Sequence, residues 1–206
     1  GASAAIQKLM RRVQPTHKAV IFDTPEPTFR HKLSPIYKGD RPSMPDELGE
    51  QIPYLHALIK ALGIPLYSVS GVEADDIIGT LTQQALANGQ KVLISTGDKD
   101  MAQLVNPNVT LEDSFKERVM DEAAVVEKFG VRPDQIIDYL TLMGDASDGI
   151  MGVPGIGAKT AAKLLNEYGN LDGIIANVDQ IKGKVSQNIK DNLENIKLDH
   201  QLATII

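Results

Sequence analysis

Lys91-Val92-Leu93-Ile94-Ser95-Thr96-Gly97-Asp98-Lys99-Asp100 is the stretch that settles the fold class. Its apolar residues 92–94 are short and β-branched at both ends, which is typical of a buried strand, and Gly97 ends the run. Two carboxylates, Asp98 and Asp100, follow at once. A strand that ends in acids predicts a site at the carboxyl edge of a parallel sheet, where ligands of α/β proteins bind.

The same strand pattern recurs on both sides of this stretch, with helical spacing between the strands. A strong helix is predicted over residues 73–87, and a second over 47–62 with Asp46 as its cap. Alternation of strands and helices predicts an α/β fold with a mainly parallel sheet flanked by helices. The other predicted strands are His17-Lys18-Ala19-Val20-Ile21-Phe22-Asp23, Leu66-Tyr67-Ser68-Val69 and Val109-Thr110-Leu111-Glu112.

The pattern becomes helical from about residue 119 onward. Glycine and proline turn signals separate short helical segments there, and no internal repeat stands out. We therefore expect an α/β domain over residues 1–118 and a helical part over residues 119–206. Residues 28–45 of the first domain are basic and rich in proline, which predicts a loop with a helical piece.

Composition excludes several classes of site. The chain has no Cys, so disulfides, thiolate nucleophiles and Cys-ligated zinc or iron–sulfur centres are ruled out. No apolar run approaches the ~18 residues that span a bilayer, and no signal-peptide pattern opens the chain. A cytoplasmic protein is the expectation.

Charge is unevenly distributed along the chain. The net charge is −6, yet residues 1–41 hold eight Lys or Arg and three Asp or Glu, a local charge of +5. Basic residues at the front and clustered acids behind it fit a protein that binds phosphate with the first and metal with the second. A solvated acidic surface is the alternative that composition leaves open.

Carboxylates cluster at four places, three of them directly after an apolar run. So many acids in one crevice would repel each other unless cations neutralised them. Oxygen ligands without His or Cys suit Mg²⁺ or Mn²⁺, and two such ions are the usual apparatus for hydrolysing a phosphodiester. Singly, each cluster is also compatible with a helix start or a polar turn. The acids are Asp23; Glu73, Asp75 and Asp76; Asp98 and Asp100; and Asp145 and Asp148.

Gly152-Val153-Pro154-Gly155-Ile156-Gly157-Ala158-Lys159-Thr160-Ala161 is the sharpest motif. Glycines let another backbone approach closely, and amides at the following helix start can hold a phosphate oxygen, with Lys159 adding charge. A structural helix–helix turn is the simpler interpretation. The apolar residues between three glycines and the Lys-Thr just after them favour a motif that binds DNA. No strand precedes the motif, which argues against a dinucleotide site.

Bases and aromatics alternate in the basic loop, in Thr28-Phe29-Arg30 and Tyr37-Lys38-Gly39-Asp40-Arg41. Such a mixture suits stacking on bases and gripping the phosphates of a single strand. A solvated basic loop explains the same residues equally well.

Taken in order, these stretches resemble the flap endonuclease family, in particular the 5′-nuclease domain of bacterial DNA polymerase I or a closely related stand-alone flap endonuclease. The resemblance runs over almost the whole chain. The matching segments are Asp23, the 29–41 segment, Gly71-Val72-Glu73-Ala74-Asp75-Asp76, Ser95-Thr96-Gly97-Asp98-Lys99-Asp100-Met101, Met143-Gly144-Asp145-Ala146-Ser147-Asp148 and the glycine motif.

The resemblance implies a PIN-like 5′-nuclease fold and a two-metal enzyme that cuts DNA near a 5′ flap, in replication and repair. All eight acids fall on the family's metal positions, with two Mg²⁺ or Mn²⁺ as cofactors, and Asp23, Arg30 and Lys38 on its catalytic positions. Residues 28–45 match the family's arch, and residues 144–168 its helix–hairpin–helix element, which takes K⁺ in some members. The implied DNA-binding residues are Phe29, Arg30, Tyr37, Lys38, Arg41, Gly152, Val153, Gly155, Ile156, Gly157, Lys159 and Thr160. A monomer at the bacterial nucleoid is expected.

Two departures from the family pattern bear on activity. The family opens with a central strand that ends in an Asp ligand, and nothing here matches that strand. The family also has Asn where Gly149 follows Asp148, so a looser second metal site is expected.

Three other functions compete with a DNA nuclease. A catalytically impaired DNA-binding module of the same family would keep the basic segment and the glycine motif. A ribonuclease of related chemistry is a further option. A haloacid-dehalogenase-type phosphatase needs a second Asp two residues after the first, and Asp23 is followed by Thr24 and Pro25.

Overall fold

The strands form two small sheets, one of two strands and one of three. The computed structural model describes residues 1–206. β1 (Val20–Ile21) pairs in parallel with β2 (Leu66–Tyr67). β3 (Val92–Ser95) pairs in parallel with β4 (Val109–Asp113), with Val92 opposite Val109. The predicted α/β class with mainly parallel pairing is confirmed.

β5 (Arg118–Met120) departs from the predicted pattern, because it runs antiparallel to β4 with Leu111 opposite Met120. The four residues between the two strands are too few for the crossover that parallel strands require, so only a hairpin can form. The predicted boundary between residues 118 and 119 falls inside this strand.

Four helices belong to the first half of the chain: α1 (Ala2–Val13), α2 (Phe29–Leu33), α3 (Asp46–Ala61) and α4 (Ala74–Ala87). Asp46 was predicted as the cap of α3, but it lies in the first turn, where its charge still complements the helix dipole. α4 begins after Glu73, whose side chain and that of Asp76 cap each other's backbone N–H. α4 packs against both β1 and β3 and so joins the two sheets.

Six helices make up the second half: α5 (Glu122–Phe129), α6 (Ile136–Met143), α7 (Ala158–Tyr168), α8 (Leu171–Ala176), α9 (Lys184–Asp191) and α10 (Leu193–Ala203). Their apolar faces and those of β3 and β4 form one continuous cluster, which includes Val109, Leu140 and Leu165. The two halves therefore share a core. None of the ten helices combines the length and apolarity needed to cross a bilayer.

Candidate active site

Asp100, Asp145 and Asp148 converge on one point, with a carboxylate oxygen of each within 4.8 Å of the others. Asp100 reaches it from a 3-10 helix (Lys99–Leu104) that follows β3 directly. The other two come from the loop after α6, where a 3-10 turn spans Ala146–Asp148. Asp145 is fixed there because it accepts from the Ser147 hydroxyl at 2.6 Å.

Two carboxylates of this region, Asp75 and Asp100, are half-buried and have raised pKa values. Burial, with the charges of Asp98 and Asp148 adding to it, raises the pKa of Asp100 to about 8, and its Oδ1 has no hydrogen-bond partner. Burial and then Asp98 raise the pKa of Asp75 to about 7. Neither forms an ion pair with Lys or Arg. A partly buried, oxygen-only donor set of this kind fits a hard divalent cation.

The charge of Asp98 raises the pKa of both Asp75 and Asp100, so it lies near each of them. We call Asp75, Asp98, Asp100, Asp145 and Asp148 the acidic strip. Charge from Asp23 and Glu73 also raises the pKa of Asp75, which places these two beside it. The fold thus brings Asp100, Asp145 and Asp148 of the eight predicted metal-site acids to one point and groups Asp23, Glu73, Asp76 and Asp98 around Asp75, while the role of all eight as ligands stays a prediction.

Glu73 and Asp76 differ from the strip because Arg30 neutralises them. Arg30 is 2% exposed and donates to both oxygens of Asp76, at 2.7 and 2.8 Å, and also contacts Glu73. Its guanidinium further donates to the carbonyls of Leu202 at 3.0 Å and Thr204 at 2.7 Å. Burial alone would raise the pKa of Asp76, but the hydrogen bond and charge of Arg30, together with the N–H groups of Ile206 and Glu73, hold the pKa below its usual value.

The basic segment, residues 28–45, lies across the loop that carries Asp145 and Asp148, residues 144–150, which we call the acidic loop. Tyr37 is buried and its hydroxyl donates to Glu73 at 3.0 Å, and the Lys38 ammonium also binds Glu73. Arg41 binds Asp148 and donates from Nε to the Ser147 carbonyl at 3.0 Å. The DNA-contacting side chains predicted here therefore contact the site's own carboxylates, and their contacts with DNA stay predictions.

Arg30 is buried and Phe29 is half-buried, so neither side chain is fully open to solvent. Phe29 lies under the Arg30 guanidinium, 4.5 Å from ring centroid to Cζ.

Lys99 is a cation that the sequence patterns did not single out, and its ammonium lies 3.0 Å from Asp145. Its place directly between Asp98 and Asp100 is the signal that could have found it.

Gly149 makes the contact between the basic segment and the acidic loop possible. Its φ is +71°, and a Cβ at this position would lie 2.3 Å from the Ile36 carbonyl oxygen. The adjacent backbone bond from Lys38 N–H to the Asp148 carbonyl is 2.9 Å long. Gly149 therefore allows a close packing that no other residue permits, and the looser second metal site expected from the sequence stays a prediction.

Asp23 lies at the end of the first sheet and holds the start of α4, since it accepts from the Ala74 N–H at 2.7 Å. It lines an open polar cleft together with His31, Lys38, Arg41 and Glu73. This cleft leads from the surface toward the acids.

The glycine motif lies between α6 and α7. Val153 and Ile156 are buried in the core and anchor it, while Gly152 and Gly155 adopt positive φ. Asn188 of α9 donates to the Pro154 carbonyl at 2.8 Å. Gly157 precedes α7 without a side-chain cap, so the first amides of α7, beside Lys159 and Thr160, are available to an anion.

Asp199 is a site-supporting residue that the sequence did not reveal. It is buried on α10 and accepts from the Gly152 N–H at 3.0 Å and the Met151 N–H at 3.4 Å. Backbone bonds between Asp145 and Ile150, at 2.8 and 3.0 Å, continue from there to the acidic strip. Asp199 therefore links the glycine motif and the acidic loop to α10, across a sequence distance too long for any local pattern to show.

Comparison with known proteins defines the family. Residues 1–130 match the family model described as 5′–3′ exonuclease, N-terminal resolvase-like domain, and residues 131–206 match 5′–3′ exonuclease, C-terminal SAM fold. The chain belongs to the 5′–3′ exonuclease family. The predicted resemblance and fold class are confirmed.

Both long and short relatives are similar to this chain in sequence. DNA polymerase I of Pseudomonas aeruginosa is 49% identical over 91% of this chain and 21% of its own length. The 5′–3′ exonuclease of Buchnera aphidicola subsp. Acyrthosiphon pisum is 42% identical over 90% of this chain and 68% of its own length. The chain thus spans about a quarter or less of the DNA polymerase I relatives, such as the 24% it covers in Bacillus caldotenax.

Solved structures agree with the fold. The T5 D15 protein co-crystallised with metal ions superposes with a TM-score of 0.85 at 28% identity, over 98% of this chain and 80% of that one. The catalytic core of Rad2 in complex with DNA reaches a TM-score of 0.54 at 18% identity, over 96% and 63%. The second similarity concerns the fold alone.

Proposed function

We propose that this chain is a divalent-metal-dependent 5′ nuclease that hydrolyses DNA phosphodiesters at 5′ ends and 5′ flaps, in replication and repair. The acidic strip is the single observation that carries this proposal. Asp100 converges with the buried Asp145 and Asp148, and the half-buried Asp75 and Asp100 have raised pKa values and form no ion pair, a costly arrangement unless divalent ions bind there.

The ions we propose are two Mg²⁺ or Mn²⁺. The donor set supports them, because it consists of carboxylate oxygens, with no His or Cys among the converging side chains. Such ions, when bound, lower the pKa of a water and stabilise the oxygen that leaves the phosphorus. Metal ions are also present in the T5 D15 structure that this chain resembles.

Cations of the chain would hold the scissile strand. Lys38, Arg41 and Lys99 are each partly exposed and lie on strip or neighbouring carboxylates. We propose that they contact the phosphates of the 5′ strand as it enters the cleft beside Asp23. Arg30 is buried, so its proposed contribution is to keep Glu73 and Asp76 in place.

Duplex DNA would be held by the glycine motif. Its tip is fixed by Asn188, its apolar residues are anchored in the core, and the free amides of α7 lie beside Lys159. A phosphate oxygen fits these amides, and K⁺ between the phosphate and the motif's carbonyls is part of the proposal. Because the substrate is DNA, we place the protein at the bacterial nucleoid in the cytoplasm, acting as a monomer.

Cleavage of a 5′-end-labelled flap DNA tests the proposal. We expect release of a short 5′ fragment in Mg²⁺ or Mn²⁺ and none in EDTA. The double variant Asp145→Ala, Asp148→Ala should lose cleavage while it keeps flap binding within a few-fold. Full activity in that variant would refute the metal assignment, and a matched flap of RNA distinguishes a ribonuclease.

A catalytically impaired DNA-binding module is the second candidate. The observation that favours it is that Arg30 occupies both oxygens of Asp76, which leaves fewer free ligands. Flap binding without cleavage in either metal would support it.

A further inference from the structure

The turn between β4 and β5 projects from the same edge of the sheet as the acidic strip. β4 runs parallel to β3, whose carboxyl end leads into Asp98. The Ser114 hydroxyl oxygen lies 2.8 Å from that of Ser95, at the end of β3. Ser95 and Asp98 are three residues apart, a span of at most roughly 10 Å. The turn therefore lies within a few nucleotides of the acidic strip.

This turn holds its exposed residues in fixed positions. Asp113 Oδ1 accepts from the Phe115 N–H at 3.1 Å and the Lys116 N–H at 3.2 Å. Pairing of Asp113 with Arg118 closes the hairpin below it. Phe115 is nevertheless 79% exposed, so its ring is presented to solvent by a turn that is itself restrained.

Ion pairs with α1 neutralise two of the acids beside the turn, Glu117 and Glu112. Lys8 binds Glu117 at 2.7 Å, and Arg12 binds the buried Glu112. Residues three or four apart on a helix share a face, so Arg11 lies near the same side as Lys8.

Three cations remain without a carboxylate partner: Arg11, Lys116 and Arg118 form no ion pair. We name Phe115 and these three cations the hairpin platform. A single exposed apolar side chain is ordinary on a protein surface. Here the Phe115 ring is held on a restrained turn, beside three cations that form no ion pair, at the sheet edge that carries the acidic strip.

We propose that the hairpin platform binds single-stranded DNA next to the cut. Phe115 stacks on one unpaired base, and Lys116, Arg118 and Arg11 contact the phosphates on either side, since an aromatic ring flanked by cations is the arrangement that grips a single strand without reading its sequence. The proposal rests on the proposed nuclease function and adds a contact surface beyond the basic segment and the glycine motif.

Fluorescence of 2-aminopurine tests the platform. The base is placed at successive positions on either side of the junction in a flap DNA, and binding to the full chain is measured in Ca²⁺, so that binding is read without relying on cleavage. We expect one position at which the fluorescence change depends on Phe115. Phe115→Ala should bind about tenfold more weakly, and Phe115→Trp should retain the affinity.

Tyr54→Ala is the matched control, because Tyr54 is also 79% exposed but lies on α3. It should leave affinity and fluorescence unchanged. Lys116→Ala with Arg118→Ala should lower the slope of log affinity against log salt by roughly 1.4, since a single strand loses about 0.7 per phosphate contact.

Equal binding by Phe115→Ala and wild type at every labelled position would overturn the platform. Wild-type protein that binds no DNA would overturn both proposals. If wild type binds DNA but does not cut it in Mg²⁺, the nuclease proposal fails, and the comparison of Phe115→Ala with Tyr54→Ala still decides the platform.

Discussion

Single residues differ in how their charge is balanced, and this difference separates structural acids from candidate metal ligands. Glu73 and Asp76 share the buried Arg30, whereas Asp75 and Asp100 have no cation of their own. Sequence spacing predicted that these acids would meet. It could not predict their pairing, because the basic partner comes from a segment more than 40 residues away.

Arg30→Met should destabilise the protein strongly, because it leaves Glu73 and Asp76 buried without a counter-charge. We expect a loss of about 3–5 kcal/mol in the free energy of unfolding, measured by urea denaturation. Arg132→Ala, which breaks the exposed ion pair with Asp134, is the control and should cost less than about 1 kcal/mol. Similar losses for both variants would show that Arg30 is not the buried anchor described.

Gly149→Ala separates close packing from backbone strain. Gly89 has nearly the same φ, +72°, but nothing lies within 4 Å of a Cβ placed on it, so Gly89→Ala reports the strain alone. The clash with Ile36 should make Gly149→Ala less stable than Gly89→Ala by about 1–3 kcal/mol. Equal values in thermal or urea unfolding would mean that the basic segment does not pack on Gly149.

Helices distant in sequence hold the backbone of the site in place through a few long-range hydrogen bonds. Asp199→Ala on α10 should leave the buried Gly152 N–H and the partly buried Met151 N–H without their acceptor, at a cost of about 1–3 kcal/mol for the buried group. Because these amides lie between the acidic loop and the glycine motif, metal affinity and duplex affinity should both fall. Asp199→Asn keeps one acceptor and should fall in between. A variant that loses stability but keeps both affinities would limit Asp199 to a purely structural role.

Packing of α10 on α6 adds a pH-dependent contact. The hydrogen bond to Asp138, at 3.4 Å, is the main cause of the raised pKa of His200. Protonation is favoured in the folded state, so the extra stability is complete below the unfolded pKa of about 6.5 and is lost as pH rises through the folded pKa.

His200→Gln tests this contact. The His200 side chain is 44% exposed, so its contribution should stay below about 1 kcal/mol. Wild type should exceed the variant in stability near pH 5.5 and match it near pH 9, by urea unfolding at both values. A constant difference across this range would contradict the assignment.

At the scale of the whole molecule, local patterns predicted the elements better than their assembly. The strands before Asp23 and Asp98, helix α4 and the glycine motif followed from periodicity and turn residues. The antiparallel β5, the docking of residues 36–41 on the acidic loop and the role of Asp199 did not, because each depends on contacts between distant segments. The core shared between the two halves was likewise invisible in a sequence that changes character near residue 119.

The claim on which this account depends is that the acidic strip binds divalent ions. Electron paramagnetic resonance of Mn²⁺ titrated with wild-type protein and Asp100→Asn measures it directly, with Asp113→Asn, outside the strip, as the control. We predict two bound ions per chain in wild type and in the control, and at least a tenfold weaker affinity for one of them in Asp100→Asn. Equal Mn²⁺ binding by Asp100→Asn and wild type, or none by either, would contradict it.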